Sequence, residues 1–187
     1  MRMVKTTAIV ASMTMFTLTG ALGVNERAVK ASDFPIPGHG VLRLAVPPGR
    51  PTNSVLLETP ASVTIHITRE TGDAFDVQLT SVWMDAKALA ETTLDSQKRN
   101  TQQAAEEILP HSVEKMATLR EIKGVGSVGC YYSLTDREPG EGEFKHLSQG
   151  TFLTGGVLST FTFLYRTQSA AEVTQALRMF AQAKYLK

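Results

Sequence analysis

Residues 124–136, GVGSVGCYYSLTD, then 146–166, HLSQGTFLTGGVLSTFTFLYR, then 169–186, SAAEVTQALRMFAQAKYL, decide the fold. The first two pieces hold three runs rich in β-branched and aromatic residues, at 130–136, 147–153 and 157–165. Such residues fit a pleated, half-buried surface. Thr154-Gly155-Gly156 separates the last two runs as a turn. Val157, Phe161, Phe163 and Tyr165 share one face of the last run, and Leu158 and Leu164 lie on the other. Apolar groups on both faces predict a central strand with something packed on each side. Ser169-Ala170-Ala171-Glu172 is a capping box: the hydroxyl takes an amide of the first turn and the glutamate reaches back. Val173, Ala176, Leu177, Phe180 and Ala181 recur at helical spacing, so one helix is predicted over 169–186.

Upstream, the alternation continues. Residues 41–46 (VLRLAV) predict a strand stopped by Pro47-Pro48-Gly49, because proline removes a ladder donor. A short strand is predicted near 53–58. Residues 62–69 and 75–83 alternate strictly around Thr71-Gly72-Asp73 and predict a hairpin, with Val63, Ile65 and Ile67 on its inner face. Residues 32–39 read as a Pro-rich lead-in. The stretch 85–109 is rich in helix formers. A helix capped by Asp95 or Ser96 and ended by Pro110 would turn Thr101, Ala104, Ala105 and Ile108 inward. Residues 112–122 are read as a further strand.

The N-terminus is of another kind. Arg2 and Lys5 precede the uncharged stretch TAIVASMTMFTLTGALGV at 7–24, the pattern of a secretory signal peptide. Cleavage fits after Gly23 or after Ala31, the second being preferred. The organisation is therefore a signal peptide at 1–31 and a single domain at 32–187, in a periplasmic or secreted location. Removing 1–31 takes four of the 19 basic residues and one of the 18 acidic ones, so the formal charge of +1 becomes slightly negative. A balance so close to neutral argues against nucleic acid as a partner. No apolar run long enough for a membrane span follows the signal. Cys130 is the only cysteine, which excludes an intrachain disulfide.

Candidate chemistry is sparse. Gly124, Gly126 and Gly129 match GxGxxG, but a β-forming run follows where a dinucleotide site needs a helix, so a strand lead-in with bulges is the better reading. Cys130 with His111 or His146 would be a nucleophile and base, against the plainer reading of a small buried residue in a strand. His39, His66, His111 and His146 form no spaced pair, and no metal or other cofactor is assigned. Asp136, Arg137, Glu138, Glu141 and Glu143 crowd one polar loop without the spacing of a calcium loop. Those five are the candidate partner-binding residues. No catalytic residues are assigned.

The pattern YYSLTD, GEFKHLSQGTFLTGGVLSTFTFLYR and SAAEVTQALRMFAQAKYL, together with FPIPGHGVLRLAVPPG near the start, resembles bacterial members of the PsbP-like superfamily. That superfamily includes a photosystem II extrinsic protein and a Ran-binding nuclear import factor. The resemblance implies an α+β fold, a central antiparallel sheet flanked by helices on both faces, as an α/β/α sandwich. It also implies a non-enzymatic role as a binding partner or assembly factor. The expectation is an exported accessory protein that docks a larger envelope or secreted partner. The alternatives are a carrier of a small apolar ligand, with its pocket between the sheet and the helix of 85–109, and a hydrolase using Cys130 or a serine.

Overall fold

The computed structural model describes residues 30–46, 50–56, 62–69, 74–168 and 171–187. Residues 1–29 of the predicted signal peptide, the Pro47–Gly49 stop, the turn at 71–73 and the Ser169 cap lie outside them. The last two residues of that predicted peptide, Lys30 and Ala31, open the first strand and pair with Val46 and Ala45, so cleavage after Gly23, the other site, is the one that leaves this strand whole. Along the chain run β1 (Lys30–Pro35), β2 (Val41–Val46), β3 (Arg50–Leu56), β4 (Ser62–Arg69), β5 (Phe75–Trp83), α1 (Ala86–Glu91) and α2 (Leu94–Ile108). They are followed by β6 (Arg120–Lys123), β7 (Ser127–Thr135), β8 (His146–Thr154), β9 (Val157–Tyr165), α3 (Ala171–Ala181) and β10 (Lys184–Leu186).

The strands form two antiparallel sheets. The larger has the order β3-β4-β5-β9-β8-β7-β6, and the smaller has the order β1-β2-β10. This corrects the expected helix-flanked central sheet: the described chain is mostly β, and it is not an α/β/α sandwich. One face of the large sheet is covered by the small sheet together with α3. On the other face α2 packs over β7 and β8. The physical reason lies at 34–46. Phe34, Ile36, Leu42, Leu44 and Val46 are all buried, so the supposed lead-in and the strand after it form an amphipathic hairpin with an apolar face to cover.

The main core joins that hairpin to Val63, Ile65 and Ile67 of β4, to Phe161 and Phe163 of β9, and to Val173, Ala176, Met179 and Phe180 of α3. Phe180 stacks on Phe161 with ring centroids 3.9 Å apart. Hydroxyls inside this face satisfy one another, as Ser81 and Ser159 do at 2.8 Å. A second cluster under α2 holds Ala105, Tyr132 and Leu134. Of the predicted stripe on that helix, Thr101 and Ala105 are buried and Ala104 and Ile108 pack beside them.

Three local expectations shift. The cap of α2 is Thr93, which exchanges bonds with Ser96 at 3.1 and 3.0 Å. The strand read at 112–122 shrinks to β6, because Ser112 makes only an isolated bridge to Asp136. The closing helix ends at Ala181, and Lys184–Leu186 is a strand beside β2. Packing along β9 also differs from the two-sided expectation. Its Thr160 and Thr162 join Thr64, Thr80, Gln78 and Gln149 on the half of the sheet that α2 leaves uncovered, where Thr160 and Gln78 are exposed. No helix among the described residues is long and apolar enough to cross a membrane.

Candidate functional site

A groove of about 620 Å³ lies between β2, the turn joining β6 to β7, and the C-terminal end of α3. The turn positions its outer wall. Lys123 pairs with Val128, and the Gly124 amide donates to the Ser127 carbonyl at 3.0 Å. Gly126 takes a positive φ of 91°, which glycine adopts without strain. A Cβ on Gly124 would collide with the Ala181 carbonyl oxygen, so only glycine lets the turn lie against the end of α3. Val125 is held at the tip with 92% of its surface exposed. The GxGxxG match is thus a turn between antiparallel strands and offers no helix N-terminus to a phosphate.

The groove is apolar along Ala31, Ala45, Val125 and Ala181, and cationic at Arg43, Lys123, Arg178 and Lys184. Among the described residues no carboxylate lines it. Arg43 is engaged by Asp33 in a fork, Nε–Oδ1 2.6 Å and Nη2–Oδ2 2.8 Å, and this hydrogen bond holds the Asp33 carboxyl below its usual range. Lys123 lies 2.6 Å from Glu121, which also takes Lys98 at 2.7 Å. The two ammonium groups bring the Glu121 carboxyl down to about 2, Lys123 contributing most. These pairs are solvated and contribute little to stability. Arg178 and Lys184 have no carboxylate partner among the described residues, so the groove keeps a positive surplus.

The five candidate loop residues sit elsewhere, and none of them lines the groove. Asp136 Oδ1 accepts the Glu138 amide at 3.0 Å. Arg137 Nη2 donates to the Ser112 carbonyl at 2.7 Å. Glu143 Oε2 accepts the Gly140 amide at 2.8 Å. Asp136 and Glu143 are therefore spent on the loop's own shape and Arg137 on tying it to Ser112, while Glu138 and Glu141 are exposed. Among the described residues no three His, Cys, Asp or Glu side chains stand together as a metal site.

Asp136 does line a smaller cavity of about 170 Å³ with His111, His146, Phe144 and Leu147. At its edge Glu114 receives the Thr135 amide at 2.8 Å and the Thr135 hydroxyl at 2.9 Å. The same hydroxyl is 3.3 Å from His146 Nδ1. Because that hydroxyl donates to Glu114, Nδ1 carries the imidazole proton and donates to it. Burial raises the Glu114 carboxyl, but its hydrogen bonds from Thr135 and from its own backbone outweigh that and leave it below the usual range. Burial and then the charge of Lys145 lower His146. His146 therefore favours the neutral imidazole.

Cys130 is fully buried, with its sulfur 3.4 Å from Thr101 Oγ1 and no imidazole bonded to it. A thiol so placed has neither a base nor access to substrate.

Sequence reasoning missed the groove. Its four cations lie on four different elements, so no local pattern gathers them; only the glycines of its turn stood out. No protein-family model matches the sequence, and neither the curated proteins nor the solved structures include a match to this chain.

Proposed function

We propose that this chain is an exported, non-enzymatic binding protein that docks a larger envelope or secreted protein, with the groove as its docking surface. The observation that carries the reading is the groove itself: an open apolar trough in which the described residues place four cations and no lining carboxylate, two of those cations having no acidic partner among them. Desolvating unpaired cations is costly, so such a surface favours a ligand that brings negative charge. The uncharged stretch at 7–24 after Arg2 and Lys5 supports export. The reading rests on the groove, and not on the PsbP-like resemblance, whose implied helix-flanked sheet this chain does not have.

The carrier alternative finds less support. Where its pocket was expected, beneath α2, the apolar cluster of Ala105, Tyr132 and Leu134 already packs against the helix, and the buried groups beside it, Gln97 and Thr101, are polar, with Gln97 Nε2 unpaired. A hydrolase has no support at Cys130, for the reasons of burial above.

Affinity capture from envelope and secreted extracts of the source cell, with the tagged chain as bait, tests the reading. One specific protein retained by the wild type and released by moderate salt is the expected result. Recovery of no specific protein across a range of salt concentrations would refute it.

A further inference from the structure

The smaller sheet is incomplete on one side, and the missing place opens into the groove. The Ile36 amide donates to the Gly40 carbonyl at 2.8 Å, which fixes the phase of the β1–β2 ladder. Leu42, Leu44 and Val46 then direct their backbone groups to β1, and Val41, Arg43 and Ala45 direct theirs to the opposite side. There β10 serves Val41 through Leu186 and Arg43 through Lys184. The residue that would stand opposite Ala45 is Gln182, but its amide turns back to the Arg178 carbonyl at 2.9 Å. Ala45, which lines the groove, is left with an N–H and a C=O that no described residue takes. An exposed ladder pair is a template for another strand.

We infer that an extended acidic segment of the partner adds beside β2 at Ala45, in line with β10, as a short β-strand. This inference rests on the proposed docking function and names its ligand. The residue opposite Ala45 exchanges both backbone bonds with it. Its side chain falls on the face that carries Arg43 and Lys184, where a carboxylate meets cations. Its neighbour opposite Val46 turns toward the side of Leu44, the place opposite Leu44 itself falling to Ala183 in the register of β10. The segment therefore alternates acidic and apolar residues. Main-chain bonds supply affinity and the alternate side chains supply specificity.

The test uses the whole chain and a short fluorescein-labelled peptide of alternating glutamate and valine, titrated by fluorescence polarisation at low salt. Saturable binding is expected. It should weaken by at least about tenfold, the scale of one lost interfacial charge contact or ladder bond, in the doubly substituted Arg178→Glu, Lys184→Glu chain. Both positions are solvent-exposed, so the fold is retained and an unchanged melting temperature verifies it. A peptide N-methylated at alternate residues, which loses its ladder donors without any change to the protein, should weaken to a similar degree. No binding, equal binding by the charge-reversed chain or by the N-methylated peptide, equal binding of a lysine–valine peptide, or preference for phosphatidylglycerol vesicles over the peptide would each overturn the inference. If capture from extracts succeeds while the peptide fails, strand addition falls and the docking reading stands. If capture also fails, the docking reading falls with it.

Discussion

Phe180 shows how much a single side chain can carry. It is fully buried, stacked on Phe161, and tilted against Phe152 with ring centroids 5.6 Å apart. Truncation to alanine leaves a cavity at the junction of helix and sheet. Phe180→Ala should cost roughly 3–5 kcal/mol and lower the melting temperature by on the order of 10 °C; an unchanged melting temperature would count against the packing described. The position was legible in the sequence, because helical spacing from Val173 onward marks the inner stripe. The titration behaviour of His146 was not legible, since its main cause is burial, which only the fold supplies, ahead of the charge of Lys145. His146 is held below its ordinary 6.5 and Glu114 below its ordinary 4.5. In each case the unfolded chain takes up a proton before the folded one does, so stability falls on acidification. The loss attached to His146 begins near pH 6.5 and ends below its folded value; the loss attached to Glu114 begins near 4.5. Urea unfolding across that range should show both steps, and His146→Gln should remove the upper one. A variant that keeps the upper step would assign it to another group.

Among the elements, the pairing of β4 with β5 was readable because strict alternation in the sequence and burial of one face agree. The strand β10 was not. Three residues carry little propensity of their own, and KYL directly follows a strong helical stripe. What makes it a strand is tertiary: Ser127 and Thr154 hydroxyls hold the Ala183 carbonyl, and the Tyr185 hydroxyl donates to the His39 carbonyl. A β10 that reaches Arg43 but not Ala45 has a direct readout in amide hydrogen exchange. Arg43 should exchange slowly and Ala45 fast. In a chain ending at Ala183, Arg43 should become fast while Leu42 and Leu44, bonded to β1, stay slow. Equal protection of Ala45 and Arg43 would mean that something already occupies the open place.

At the scale of the molecule, the large sheet followed from local patterns and the second sheet did not. Covering a sheet with helices and covering it with a hairpin leave similar apolar stripes on the covered strands. The distinction sits in the residues doing the covering, and 32–39 carry two prolines within a short alternation. The groove is one step further from the sequence, because it exists only where β2, α3 and the Gly124 turn converge. That convergence also sets an order in time. Tyr185 and His39, joined across the small sheet, are 146 residues apart in the chain. A polypeptide emerging from its N-terminus exposes the inner faces of Leu42 and Leu44 until α3 and β10 exist. Closure of so long a loop is slow and comes last. Refolding of the intact chain should therefore show the small sheet forming after the β4–β5–β9–β8 sheet, by pulse-labelled exchange; simultaneous protection of the two would contradict this order. Until α3 and β10 are made, the small sheet stays unfinished, and this late clasp keeps the growing chain open to whatever handles it.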